Sequence, residues 1–377
     1  CPVRSLAAFE KSEYADDWRD LMRLYLVRRT RSFIQENYAE TDTETGRQYL
    51  TFADGTRSYF PVRLPKRLEF TVNTKDPADQ YARLFDDQVV HTINHLNLPR
   101  YGLGNYIAST PHQPPTPVEA KMIENLSRAG KRLMGFCRTN LFKRLESSGQ
   151  AFIQSLERHI LRNFVYLYAI QENQLLPIGT QDMGLLDARI TDEDEVITEL
   201  FDENDTAEIP ANTGIQELHT IDDFKRRAAQ IYEEYSRQYA RRFKWLRPTV
   251  FVPSLAKDLL ADAEALLGLL KHCGRWDPNH DTKLNALIRL LTEKHPNEKA
   301  IIFSQFADTV RYLETQFKER GITHLAGVSG ESYDPTTLAW RFSPASNQKR
   351  DRVLPPDELR VLIATDILSE RQNLQDC

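Results

Sequence analysis

The chain has 377 residues, of which 27% are charged and 41% hydrophobic, and its formal net charge at pH 7 is −5. That length can bury a sizeable core and has room for two or three domains, and the composition is that of an ordinary water-soluble globular protein. The small negative balance excludes a histone-like general binder of polyanions. It leaves room for a local basic groove, because a field depends on how charge is distributed rather than on its sum.

Four cysteines, Cys1, Cys137, Cys273 and Cys377, lie far apart and form no C-x-x-C pair. A disulfide framework or zinc ribbon is not expected, and the usage fits a reducing, cytoplasmic location. No apolar run approaches the ~20 residues of a membrane span. The first residues, CPVRSLAAFEKS, carry neither a methionine nor an apolar signal core, and the last ones follow closely on a strand. The chain is therefore expected to be a segment of a longer polypeptide.

Residues 1–38 read as helical, with Trp18, Leu21, Leu24 and Tyr25 on one face, followed by Arg28, Arg29 and Arg31. Those arginines fit either a solvated helix end or a hinge. Residues 39–60 are polar and predict a loop or hairpin turning at Asp54-Gly55. Leu68, Phe70 and Val72 alternate, which predicts a strand over residues 67–73. From residue 76 to about 170 the pattern is helical, interrupted at 109–117 by the proline-rich STPHQPPTP. In residues 141–156, Leu141, Leu145, Phe152 and Leu156 share one side. Residues 177–214 hold the acidic run ITDEDEVITELFDENDTAEI, which reads as a loop or insertion rather than a metal site.

Residues 222–247 predict one long basic helix whose Tyr232, Tyr235, Tyr239 and Phe243 fall on one face. Such a stripe serves either as core or as a base-stacking platform. Arg226, Arg227, Arg237, Arg241, Arg242 and Lys244 have the chemistry to track phosphates. Helices are also expected over 256–272 and 282–291. Two apolar, β-branched runs, 300–303 and 361–363, then predict strands buried on both faces, as in a parallel sheet. They end in Ser304-Gln305 and Thr365-Asp366, and polar groups at the carboxyl ends of parallel strands are where open α/β sheets bind ligands. Val310, Leu313 and Phe317 space a helix after the first strand, and Gly321 closes it. The unit is a βαβ crossover. Between the strands, RFSPASNQKRDR (341–352) offers Lys349, Arg350 and Arg352 beside Trp340 and Phe342. It is either a contact for nucleic acid or an exposed basic loop.

These last residues resemble a family. KAIIFSQF (299–306) looks like motif IV of Swi/Snf-type superfamily-two helicases, and ATDILSERQNLQDC (364–377) like motif V in its bacterial form, A-T-D-x-L-S-E-G-x-N-L-Q. HLAGVSG (324–330) is similar to the strand and polar loop of the second lobe, and LVRRTRSFI (26–34) to the L-x-R-R-T-K-x-x-V landmark between lobes. The resemblance implies an α/β fold: an incomplete RecA-like, parallel-sheet C-terminal helicase lobe at 281–377. A large α-helical insertion occupies 61–280, and the end of a first lobe with its linker occupies 1–60. It implies an ATP-dependent translocase acting on double-stranded DNA without sequence preference, with no membrane partner. On this resemblance Ser304, Gln305, Ser329, Lys349, Arg350, Arg352 and Thr365 contact nucleic acid, while Asp366, Glu370, Arg371 and Asn373 face ATP. Position 371 departs from the family, which has glycine there; an arginine is expected to obstruct the loop.

The complete parent would use ATP and Mg²⁺, yet no G-x-x-x-x-G-K-[ST] loop occurs in the sequence. Ala129-Gly130-Lys131-Arg132 lacks the first glycine and the hydroxyl residue, and Asp192–Glu195 follows no apolar strand. The chain alone is expected to be inactive, with no catalytic residue. The alternative is a catalytically inactive nucleic-acid-binding or scaffold protein that keeps the lobe. A metal-dependent hydrolase on His91 and His95 is a third reading, but position 92 is Thr, so H-E-x-x-H fails, and His272, Cys273 and His280 have no clear fourth ligand. No metal site is expected.

Overall fold

A computed structural model describes residues 31–52, 55–60, 65–111, 113–178, 218–240, 243–330, 332, 334–365, 374 and 376. The expected helix before residue 31 and the acidic segment 179–217 lie outside the described residues. The chain divides into two units, residues 1–67 and 68–377.

In the first unit, α1 (Arg31–Tyr38) precedes three short antiparallel strands, β1 (Glu40–Thr41), β2 (Gln48–Thr51) and β3 (Arg57–Tyr59), in the order β1-β2-β3. The expected hairpin is present, with Gly55 at φ +82° in its turn. Tyr49 and Tyr59 pack at 5.3 Å, capped by Arg57 over Tyr49 and Arg47 over Tyr59. Such cation–π stacks suit a sheet too small to bury much of itself.

The second unit begins with extended chain. The strand expected over 67–73 is absent: residues 65–73 have no regular structure. Its alternation is used differently. Phe70 packs on Tyr81 at 5.2 Å and, with Val72, covers the helical core, while among the described residues no neighbouring strand offers a ladder. Next come α2 (Gln80–Leu84) and α3 (Asp87–His95), each N-capped by an aspartate, Asp79 and Asp86. The proline-rich stretch leads into α4 (Pro117–Ser147), which starts on a capping box: Thr116 and Glu119 satisfy each other's backbone N–H groups. Glu119 also receives two hydrogen bonds from Arg247, both 2.8 Å, and that guanidinium lowers its carboxyl to about 2.

Ser148 breaks the helical run and caps α5 (Gly149–Gln171). This helix is buried almost all round and forms the axis of the unit, packing against α4, α6 (Ile221–Arg237) and α7 (Ser254–Cys273). Leu141, Leu145, Phe152 and Leu156 are all buried, as their spacing predicts. The long basic helix is shorter than expected. It ends at Arg237, and Lys244–Leu246 (β5) pairs antiparallel with Leu176–Ile178 (β4), anchored by the Trp245 indole donating to the Ala240 carbonyl at 2.7 Å. Tyr232, Tyr235 and Phe243 are buried, so the aromatic stripe is core. Burial raises the Tyr232 hydroxyl to about 12.

Helix α8 (Thr282–Arg289) continues into a π turn, Leu290–Lys294, before the sheet. Three parallel strands follow: β6 (Ala300–Phe303), β7 (Leu325–Val328) and β8 (Val361–Ala364), with α9 (Ala307–Glu319) and α10 (Pro335–Phe342) as crossover helices. The order is β6-β8-β7, in the register Ala300↔Val361↔Leu325. β8 lies in the centre and is wholly buried, as its apolar run requires. Gly321 takes φ +78°, which a side-chain-bearing residue rarely adopts, and Ile322 N–H then closes onto the Phe317 carbonyl at 3.0 Å. The fold of this unit is mixed α/β, a small parallel sheet among many helices. Among the described residues no helix is long and apolar enough to cross a membrane.

Candidate functional site

Parallel strands bring their carboxyl ends to one edge. Ser304, Thr365 and Ser329 follow β6, β8 and β7 directly, and the tips are tied together: Ser304 N–H donates to Ala364 and Thr365 N–H to Val328, both at 3.0 Å. The sheet thus gathers three of the expected contact residues. Thr365 and Ser329 are buried, and Gln305 is exposed.

The hydroxyl of Ser304 is engaged from both sides. It accepts from Phe306 N–H at 3.2 Å, ordering the turn into α9, and shares a 3.2 Å hydrogen bond with Ser147, the last residue of α4. Ser147 also bonds Thr309 at 2.9 Å. In the first turn of α9, Asp308 takes Arg144 at 2.8 Å and Arg158 at 2.7 Å, with Arg311 on its other oxygen at 2.7 Å. Burial opposes a charge on Asp308. Arg158, then Arg144 and Arg311, outweigh that and hold its carboxyl well below the usual carboxylate range. The helical region is therefore bolted to the start of α9 by a buried ion cluster.

Beside this junction lies a cleft of about 480 Å³. Its walls are the β6 tip with Phe303, the α8 and α9 faces, the end of α4 and the extended segment with Leu68 and Phe70. At its floor Asp281 caps α8 through Leu284 N–H and accepts from Tyr81 at 3.2 Å and Tyr312 at 2.8 Å. Burial, then the neighbouring Asp281 carboxylate, push both tyrosine hydroxyls up. Lys283 donates to the Glu146 and Ser147 carbonyls, closing the end of α4. Burial draws its ammonium below the usual lysine range.

The basic loop lies elsewhere. Lys299, directly before β6, and Arg350 both pair with Glu358, so this cluster sits at the amino edge of the sheet, opposite the strand tips. Lys349 lies 4.7 Å over the Trp340 ring, while Arg350 and Arg352 are exposed. The two expected contact regions do not converge. Asp366, Glu370, Arg371 and Asn373 lie outside the described residues. His91 and His95 stack at 4.0 Å on α3, and among the described residues no three His, Cys, Asp or Glu side chains are grouped to hold a metal.

Sequence reasoning missed Ser147, Thr309, Asp308 and the arginines that meet it. One signal was available: Arg144 interrupts the apolar side that holds Leu141 and Leu145, and a charge at a core position needs a partner. No protein-family model, no curated protein and no solved structure matches this chain.

Proposed function

We propose that this chain carries the second lobe of a Swi/Snf-type, superfamily-two nucleic-acid motor, with a RecA-like sheet whose carboxyl edge meets the backbone of DNA. The observation that carries the reading is the pairing of β6 with β8. The strand inside the motif-IV-like segment and the strand that leads into the motif-V-like one are hydrogen-bonded parallel neighbours, and the polar residues that follow them, Ser304 and Thr365, share one edge. Hydroxyl, amide and backbone N–H groups at such an edge suit a phosphate backbone and carry no sequence information.

In a complete motor of this type ATP and Mg²⁺ would drive closure of two lobes. This chain's residues do not fit that group by themselves, because the glycine-rich loop with its Lys and Ser/Thr is not in the sequence. Purified chain should therefore release no phosphate from ATP above background, with or without duplex DNA. DNA-stimulated release that copurifies with the polypeptide would contradict this. The engagement of Ser304 by Ser147 favours a second reading, a scaffold that keeps the lobe without moving along DNA.

Titration of a labelled 30-bp duplex by fluorescence anisotropy tests the binding. Affinity should be independent of sequence and fall steeply with salt. Three phosphate contacts correspond to a loss of about 40-fold between 50 and 200 mM salt. Neutralising Lys349, Arg350 and Arg352 together tests the other expected region: at the opposite edge of the sheet from the strand tips, the variant should keep affinity and slope close to wild type. A marked loss of both would move the contact to the amino edge. If the wild-type chain binds no DNA at 50 mM salt, the nucleic-acid reading fails.

A further inference from the structure

The cleft beside the strand tips has a chemistry of its own. Phe303 is 56% exposed, although it ends a strand whose neighbour β8 is wholly buried, and it lines the cleft with Phe70. The permanent charges in the wall balance, Lys143 and Lys283 against Glu146 and Asp281. Lys143 is offset by Glu146, the Lys283 ammonium is held by two α4 carbonyls, and the Asp281 oxygens serve two tyrosines and a backbone N–H. A wall of that kind holds a phosphate poorly. It suits a neutral, flat, aromatic group that also makes hydrogen bonds. Gln305 stands exposed at the rim with both a donor and an acceptor, next to the hydroxyls of Ser147 and Ser304. The volume, about 480 Å³, is within the range of small-molecule sites.

We propose that this cleft receives an unpaired nucleobase of the bound strand, stacked on Phe303 and read at its edge by Gln305. The inference rests on the nucleic-acid reading above and narrows its substrate: the favoured ligand is a duplex carrying an unpaired base rather than a fully paired one. Aromatic stacking tolerates any base, so the site adds affinity without sequence preference. A base must leave its stack to enter, which costs least where it has no partner.

The test compares a fully paired 20-bp duplex with the same duplex carrying one bulged 2-aminopurine. The bulged duplex should bind tighter by about 5- to 150-fold, the range that one base–aromatic stack supplies, and the 2-aminopurine fluorescence should be quenched on binding. In Phe303→Ala and Phe303→Leu the ratio of bulged to paired affinity should fall to about one and the quenching should disappear. Phe303→Trp should keep both. Urea unfolding midpoints close to wild type separate this from loss of fold, and Gln305→Ala gives a second, solvent-exposed variant that should lower the ratio. Equal affinity for the two duplexes, or a preference that survives Phe303→Ala, overturns the proposal while the backbone reading stands. No binding to either duplex overturns both.

Discussion

Replacing Asp308 by alanine should destabilise residues 68–377 by about 3–5 kcal/mol, the cost of breaking a buried ion pair by removing one partner. Arg144 and Arg158 are 0% and 1% exposed, so neither guanidinium can turn to water when the carboxylate facing it is gone. Arg311 is partly exposed and can. The loss should show as a lower urea midpoint with little change in slope. Asp308→Asn keeps the shape and one acceptor but not the charge, and should recover only part of it. The triple change Arg144→Met, Arg158→Met, Asp308→Leu should recover most, because an apolar replacement of a buried ion cluster is often neutral. The sign of the pH dependence follows from the lowered carboxyl. Its contribution is complete above about 4, the unfolded value, and is lost as pH falls through the lower folded value. Wild-type stability should therefore drop between pH 5 and strong acid more steeply than that of Asp308→Asn. Parallel profiles would mean that Asp308 is not ionised by its arginines.

Gly149→Ala should be the next most damaging single change, at about 1–3 kcal/mol from overpacking. A methyl group at this position would meet two ring carbons of Trp276 at 2.3 Å and Leu84 at 2.8 Å. The indole cannot simply swing aside, since it is buried and its N–H donates to Tyr312 at 3.1 Å. Tyr312 in turn holds Asp281 at the floor of the cleft. The substitution should thus lower stability and also shift the fluorescence of Trp276. Wild-type stability for Gly149→Ala would mean that the α4–α5 junction and the indole are not packed as closely as described.

The β elements of the sheet were the most legible part of this chain. AIIF and VLIA are short, apolar, β-branched runs bounded by polar residues, so β6 and β8 could be read as strands from the sequence. Burial on both faces holds for β8 in the centre, whereas β6 lies at the edge of the sheet, half-buried with Phe303 exposed, because among the described residues only one side of it has a strand neighbour. Gly321 marked the end of α9 for a local reason, its positive φ. Errors arose where tertiary contacts overrode a local period. Residues 67–73 have the alternation of a strand but spend it on Tyr81 and the helical core. Residues 244–246 continue a helical period yet form a strand, because Leu246 and Trp245 find a strand partner at Leu176 and Pro177, about seventy residues earlier. In the candidate site the strand tips could be foreseen, since each is adjacent in sequence to its strand. What covers them could not: Ser147 meets Ser304 across 157 positions and Arg144 meets Asp308 across 164. Nor does any local signal tell that the loop of Lys349 and Arg350 folds back to the amino edge, which depends on Glu358 pairing with Lys299.

The measurement that bears most directly on the central claim is photocrosslinking of the chain to a duplex substituted with 4-thiothymidine, followed by sequencing of the crosslinked peptides. Crosslinks are predicted in the peptides that carry residues 299–306 and in those that carry Ser329 or Thr365, because the three strand tips form one edge. Crosslinks confined to the Lys349–Arg352 loop, at the opposite edge of the sheet, or to residues 1–67, would contradict the account.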